Sequence, residues 1–427
     1  MNSLHDVVVE RDVVSIGDKT YPFLDILGVR SYTKGVEVVL CEKPGVGCMG
    51  GSGERRLRSE KVAVEDPSAV ASEVRAAVKA ATPNAPNRVL VFVNPSSGTG
   101  RASKVYQRSV KPVLRAAGIE IDLVVTSREN EAFEKCAGGF DDPPGGILVV
   151  GGDGTLSEVV RGLVARDADL LAIPLGHAPG GTGNACAQSI AHQCGDACSG
   201  VDAAYYVAKG TTRPLDLLRV ELADGSVVPS FLSIEWAIIA DIDLGSDSLR
   251  CLGDARFTLA AIYRLLCLRK YCGTLSYLPE EEEEEVSREK TPDSTSFCST
   301  RLPPLAEPLP DSWVQVEATT FQLAMALNLS HIDATTLLAP RARLDDGAIH
   351  LVWTAEGTGC CAALNLADTM IKFEDGTHID KTSVNTIKCR AFRLVPSRAD
   401  TSRLAIDGEE FRGPSASSPR HNITTAP

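Results

Sequence analysis

No uninterrupted apolar run in this chain reaches the length that a bilayer-spanning helix requires. Thirteen cysteines are present, an odd number, but none forms a Cys-x-x-Cys pair and none shows metal-type spacing; Cys360 and Cys361 are simply adjacent. The polar N-terminus lacks a secretory signal, so reduced thiols in a cytosolic protein are expected, and the sequons at Asn328 and Asn422 then carry no meaning. Positive charge is scarce. The chain holds 43 Lys and Arg against 56 Asp and Glu, a net charge of −13, and no basic stripe offsets it. Nucleic acid is therefore not an expected partner.

Glycine-rich turns, by contrast, are abundant and well placed. Ile147-Leu148-Val149-Val150 reads as a buried parallel strand and runs into Gly151-Gly152-Asp153-Gly154-Thr155. Such a turn exposes backbone N–H groups that can cradle a phosphate, with one carboxylate fixed beside them. The apolar spacing of Leu156 to Leu163 then suits a helix whose N-terminus aims at the same turn. Upstream, the strand Val89 to Val93 leads into Asn94-Pro95-Ser96-Ser97-Gly98-Thr99-Gly100-Arg101, with a helix expected over Ala102 to Ala117. Downstream, an apolar strand over Leu170 to Leu175 precedes Pro179-Gly180-Gly181-Thr182-Gly183-Asn184-Ala185. None of the three turns ends in the Gly-Lys-Ser/Thr of a Walker A loop, and none is a G-x-G-x-x-G fingerprint. An α/β sheet would gather all three at its carboxyl edge as a nucleotide cradle of another kind.

Four zones separate along the chain. Residues 1–87 read as an accessory N-terminal extension, with a helix over Ser68 to Ala81 and a Pro-containing linker over Thr82 to Asn87. Residues 88–212 form the α/β nucleotide-binding domain. Residues 213–412 read mainly as strands separated by turn signals such as Asp345-Asp346-Gly347, which predicts a C-terminal antiparallel β-sandwich domain. Within it, the helix Phe257 to Leu268 is apolar almost all round, so it is expected in the core, with part of it lining a slot for an alkyl chain as the alternative. The segment 280–311, opened by the acidic run Glu280 to Glu285, is expected to be a disordered insertion, and 413–427 a disordered tail.

The three turns together resemble those of the diacylglycerol kinase-like lipid kinases. The segments Ser233 to Ser246 and Leu252 to Leu259, and the strand-turn Leu404-Ala405-Ile406-Asp407-Gly408-Glu409, are similar to sphingosine kinases in particular. The resemblance runs in order from about Arg88 to Arg412, interrupted by one insertion. It implies an ATP- and Mg²⁺-dependent enzyme that phosphorylates the primary hydroxyl of a sphingoid base at a membrane surface. It also implies a cytoplasmic protein peripherally associated with intracellular membranes. A diacylglycerol or ceramide kinase, or a catalytically silent lipid-binding protein, are the alternatives.

Phosphoryl transfer to an alcohol needs a carboxylate near the hydroxyl and fixed donors around the phosphates. Asp153 matches the family's general base. Asn94, Gly98, Gly100, Gly152, Gly154, Thr155, Gly181, Thr182 and Asn184 would line the nucleotide, and Thr126 and Arg128 follow the strand Ile121 to Val125 near it. Glu158 would orient a Mg²⁺ water or phosphate ligand, or be a plain helix-surface residue; direct metal ligands are not assigned. Arg250 and Arg256 match positions that contact ATP phosphates, and Asp407, Gly408 and Glu409 would close over the nucleotide or its metal. Asp243 and Ser233 align with the residues that hold the polar head of the lipid. A carboxylate facing the sphingoid ammonium gains a charge-assisted hydrogen bond worth about 1.5–3 kcal/mol. On an extended segment Asp241 would share a face with Asp243; Asp243 is the expected ligand. The chain departs from the family's pattern at Ser96-Ser97 and Arg101, at Gly151, where Ser is frequent, and at Glu129, where a basic residue is common.

Overall fold

The computed structural model describes the chain except residues 1–6, 11, 17–18, 45–52, 99, 167–171, 247–254, 281–301, 306, 356–360, 398–402, 411–422 and 427. It divides into two compact units, Met1–Leu156 with Asp169–Thr212, and Ser157–Ala168 with Arg213–Pro427.

The first unit opens with the antiparallel strands β1 (Val7–Val9), β2 (Val13–Ile16) and β3 (Lys19–Pro22). A second antiparallel sheet follows, made of β4 (Ile26–Tyr32), β5 (Gly35–Glu42) and β6 (Arg56–Ala63). Helix α1 (Pro67–Ala81) starts at Asp66, whose carboxylate accepts from the N–H groups of Ser68 and Ala69, and Pro67 sits where no N–H is needed. Its stripe of Val70, Ala71, Val74 and Val78 closes over Val29, Val36, Val38 and Leu40. These 87 residues are more than an accessory extension. Lys209 donates to the carbonyls of Phe23 and Ile26, Tyr205 to that of Leu24, and Arg55 stacks 3.9 Å from the Tyr205 ring centroid while pairing with Asp196 and Asp202. Burial pushes the Lys209 ammonium down to about 8.

Strands β7 (Arg88–Val93), β8 (Glu120–Val125), β9 (Ile147–Gly151) and β10 (Leu175–Pro179) form a parallel sheet in the order β10-β9-β7-β8. The central strands are apolar over Val89 to Val93 and Ile147 to Val150 because both faces are covered. Val89, Val91, Val93, Leu148 and Val150 join a core with Tyr106, Val110, Val113 and Leu114, while the alternate residues Leu90, Phe92, Ile147 and Val149 are also buried. Tyr106–Val110 is a π-helical turn between α2 (Ala102–Val105) and α3 (Lys111–Ala116). The remaining helices here are α4 (Glu131–Gly138), α5 (Asp153–Arg166), which continues into the second unit, α6 (Ala185–Cys194) and α7 (Gly200–Lys209).

One strand is displaced from its expected place. The apolar run Leu170 to Leu175 suggested the strand, but β10 begins at Leu175 and Ala172 to Pro174 precede it; residues 170 and 171 lie outside the described residues. Pro174 has no N–H for a ladder, and its carbonyl instead accepts from Ile147. An edge strand tolerates Gly176 and Pro179, so weakly apolar residues fill it, and His177 enters the sheet.

In the second unit the strands are β11 (Leu218–Leu222), β12 (Val227–Ser230), β13 (Ser233–Ala237), β14 (Tyr271–Pro279), β15 (Val314–Gln315), β16 (Thr320–Leu327), β17 (Ile349–Ala355), β18 (Asn385–Pro396), β19 (Leu404–Ile406), β20 (Glu409–Glu410) and β21 (Ile423–Ala426). Its further helices are α8 (Ile238–Gly245), α9 (Ala255–Leu266) and α10 (Ala362–Ile371). The antiparallel character is as expected. The two separate layers of a sandwich are not what is bonded: all eleven strands form one connected set, in which β14, β16, β17 and β18 pair in a closed cycle. The physical reason is length, since the twelve residues of β18 reach different partners at their two ends. Trp236, 1 % exposed, anchors the core edge-on to Phe321 and Tyr271. Burying such a ring contributes about 1.5–3 kcal/mol.

Three further expectations are corrected. Residues 302–305 and 307–311 of the expected insertion are placed, because the 5 % exposed Arg393 needs acceptors and finds the carbonyls of Pro303, Pro304 and Glu307. Of the expected tail, Ile423–Ala426 pairs with β11 and β18 and so extends the sheet. Helix α9 is not a core helix, since none of its residues is buried. Phe257, Ala260, Ala261 and Leu265 pack on the core, whereas Leu259, Ile262, Tyr263 and Leu266 are 49–81 % exposed. A helix apolar on both sides can cover a sheet with only one of them.

Candidate active site

The sheet brings the three glycine-rich turns of the first unit together. The Asn94 amide donates to Thr155 Oγ1 at 2.9 Å, Gly152 N–H to Ser97 Oγ at 3.3 Å, and the N–H groups of Gly180 and Gly181 to the Gly151 carbonyl at 2.9 and 3.0 Å. Asn184 braces its own turn, accepting from Gly181 N–H and donating to the Gly181 carbonyl. The backbones approach so closely that a Cβ on Gly181 would stand 2.5 Å from Gly152 Cα. Gly98 has φ +55°, and a Cβ there would stand 2.9 Å from the Gly181 carbonyl carbon. Gly100, Gly154 and Thr182 occupy the same turns, with open space above Gly154. Thr126 lies buried at the end of β8, with its N–H on the Val93 carbonyl. Arg128 points elsewhere, into a two-pronged surface pair with Glu134. Glu158 is half-buried on α5.

Asp153 opens α5 and is 9 % exposed. Its carboxylate accepts from the N–H groups of Ala185 (2.9 Å) and Cys186 (3.1 Å), the first two residues of α6, so a helix N-terminus fixes its orientation. A residue not singled out in the sequence stands behind it. His177 on β10 is 3 % exposed, with Nε2 3.1 Å from the Gly151 carbonyl oxygen and Nδ1 3.8 Å from Asp153 Oδ1.

In the second unit, Asp407 and Gly408, with φ +51° and +77°, make the tight turn between β19 and β20. Asp407 is expected over the nucleotide, but its carboxylate is buried and already holds four donors: Ser230 Oγ and the N–H groups of Phe231, Leu232 and Ser233. Burial pushes it up to about 6 against those bonds. Glu409 is the exposed carboxylate of this turn, 3.8 Å from Arg161.

The segment after Trp236 is helical rather than extended, which separates the two candidate carboxylates. Ala237, at φ +68° and ψ −136°, turns β13 sharply into α8. Two residues apart on a helix point to different sides. Asp241 goes inward, 1 % exposed, accepting from Tyr271 Oη at 2.7 Å with Arg264 and Arg269 beside it. Asp243 is half-buried and stands against the Asp407-Gly408 turn, where a Gly408 Cβ would be 3.6 Å from Asp243 Oδ2. Ser233 is fully buried, and its hydroxyl donates to Glu235 Oε1 at 2.9 Å. Glu235 was also not singled out. Burial, and next the charge of Asp243, push its carboxyl up to about 8. Arg256 starts α9 with its guanidinium 4.3 Å from the Phe257 ring centroid, and Arg250 lies outside the described residues. Among the described residues no three His, Cys, Asp or Glu side chains converge on a metal position.

Three glycine turns thus meet at the carboxyl edge of a parallel sheet with a fixed carboxylate among them. Residues 88–220 match the family model described as the diacylglycerol kinase catalytic domain. A crystal structure from Bacillus anthracis str. Sterne, described as a candidate diacylglycerol kinase, shares the fold with a TM-score of 0.51 at 17 % identity, covering 79 % of this chain and 94 % of that one. Two relatives narrow the class. Sphingosine kinase 1 of Mus musculus is 34 % identical over 337 residues, covering 76 % of this chain and 86 % of the relative. Sphingosine kinase 1 of Homo sapiens is 35 % identical over 340 residues with the same coverage. The chain belongs to the sphingosine kinase family.

Proposed function

We propose that this protein is an ATP-dependent sphingoid-base kinase, transferring the γ-phosphate to the primary hydroxyl of a lipid such as sphingosine to give the 1-phosphate. The observation that carries the reading is the meeting of three glycine-rich turns around Asp153 in a chain of this family. The N–H groups of those turns receive the phosphates, and Asn94 and Thr155 hold the turns in register. Asp153 takes the hydroxyl proton as the oxygen attacks phosphorus. When bound, Mg²⁺ would supply neutralisation of the phosphate charge. Glu158 and Glu409 are the carboxylates that would help hold it.

Asp243 is the ligand of the substrate ammonium, with the Ser233–Glu235 pair beside it. Asp241 is excluded by its own partners. The apolar stripe Leu259, Ile262, Tyr263 and Leu266 on α9 supports peripheral contact with a membrane, where the lipid resides. No helix among the described residues is long and apolar enough to cross one.

The test is Asp243→Asn. It should lower kcat/KM for sphingosine about 10- to 100-fold, the loss of one charge-assisted hydrogen bond. The KM for ATP should stay unchanged. Unaltered sphingosine kinetics would remove Asp243 from the site, and equal wild-type turnover of diacylglycerol or ceramide would move the protein to a different lipid.

A further inference from the structure

The buried pair behind the glycine turns holds an unresolved contact. A carbonyl oxygen can only accept, so His177 Nε2, 3.1 Å from the Gly151 oxygen, must carry a hydrogen. In the neutral ring that leaves Nδ1 as a bare lone pair. Nδ1 is buried, has no hydrogen-bond partner among the described residues, and faces Asp153 Oδ1 at 3.8 Å. Two acceptors thus confront each other with no donor between them, at a cost one additional proton would remove. The reaction delivers a proton to this spot.

We propose that His177 is the proton sink of the transfer step, acting through Asp153. This rests on the reading of Asp153 as the base. The substrate O–H bond breaks and its proton passes to Asp153 as the oxygen–phosphorus bond forms and the bond to the ADP oxygen breaks. The proton then moves to His177 Nδ1, so Asp153 is again a carboxylate and the imidazolium has both N–H groups bonded, one to the Gly151 carbonyl and one to Asp153. It leaves by the same route once the products depart. No redox partner or additional reactant is required. His177 does not touch the lipid; it positions Asp153 and holds the proton.

Around the pair, the elements packed on β10 are β9, α2, α6 and α7. Their titratable side chains include Lys104 on α2, Cys186 and His192 on α6, and Asp202 and Lys209 on α7. Asp202 is engaged by Arg55, and Lys209 by two carbonyls. Cys198, before α7, is pushed up to about 11 by burial and by Asp153, so it remains a thiol. Asp153 is the charge that His177 meets.

The test uses the full chain with MgATP and sphingosine both saturating, so that kcat reports the bound state. Wild-type kcat should carry a pH dependence that a variant unable to take up a proton at this position lacks. His177→Gln keeps an amide N–H for the Gly151 carbonyl but cannot take up a proton. It should bind ATP as the wild type does, lose about 10- to 100-fold in kcat at pH 8, and show a flat profile between pH 8 and 6. A folded His177→Gln with the wild-type profile and rate would overturn the proposal. Asp153→Asn measured alongside separates the two readings: if it stays active the base itself is misassigned, and if it is silent while His177→Gln is normal, only His177 is.

Discussion

Asp153 and Asp407 look alike in sequence and differ in what surrounds them. Each is an aspartate beside glycine at the end of a buried strand, and each is at most 9 % exposed. Asp153 accepts two backbone N–H groups and keeps an edge turned to His177 and the nucleotide turns. Asp407 accepts four donors, all from Ser230 to Ser233, and so ties the start of β13 to the β19–β20 turn. A carboxylate holding four donors from one segment is a structural tie. One held by two donors is oriented but still able to take a proton. Counting donors separates the roles that motif matching merges.

The largest expected effect breaks this contrast if it fails. Asp153→Asn should lower kcat by about 10²- to 10⁴-fold, with ATP affinity retained and a modest loss of stability, since the amide offers one acceptor where two N–H groups bond. Steady-state kinetics and ATP titration check it. Asp407→Ala should do the reverse: it leaves the Ser230 hydroxyl and three N–H groups buried without an acceptor, at a cost of about 3 kcal/mol in urea unfolding. An Asp407→Ala protein with wild-type stability and no activity would return Asp407 to the nucleotide.

Glu235 sharpens the comparison through pH. Its carboxyl is raised to about 8 in the folded protein, above its unfolded value, so the folded state holds an additional proton between the two. The stability it contributes is complete below the ordinary carboxylate range and is lost as pH rises through about 8. Glu235→Gln is spared this loss. Its stability relative to the wild type should rise by up to about 1.4 kcal/mol per pH unit across that interval and level off above it. A difference that does not change with pH would show that Glu235 is ionised throughout. The smallest effect is at Ala237, whose φ of +68° and ψ of −136° suit glycine. Ala237→Gly should raise stability by about 1 kcal/mol by thermal denaturation, and a loss would show that the turn is unstrained.

The parts of the fold legible in the sequence are those where a local rule acts alone. The strands β7 and β9, the helix expected over Ser68 to Ala81, and the three turns follow from apolar runs ended by glycine and proline. Where tertiary context decides, local pattern and structure part. β10 is an edge strand of weak apolar content, so the run Leu170 to Leu175 drew the assignment and His177 passed unnoticed. A histidine directly before a glycine turn was the available signal. Helix α8 replaces the expected extended segment because Ala237 makes a turn of a kind usually marked by glycine. Glu235 carried its own signal, a lone carboxylate in the buried strand Ser-Ile-Glu-Trp-Ala. The exposure of α9 depends on which side the sheet takes, and periodicity cannot choose between two apolar sides.

The most direct test of the account is one assay with purified protein, labelled ATP and a panel of sphingosine, sphinganine, phytosphingosine, ceramide and diacylglycerol in mixed micelles, with products resolved by chromatography. Label should appear in the 1-phosphates of the free bases, with ceramide and diacylglycerol unlabelled and Asp153→Asn silent throughout. Label in diacylglycerol or ceramide at the same rate as in sphingosine, or none in any lipid from folded protein that binds ATP, would contradict it.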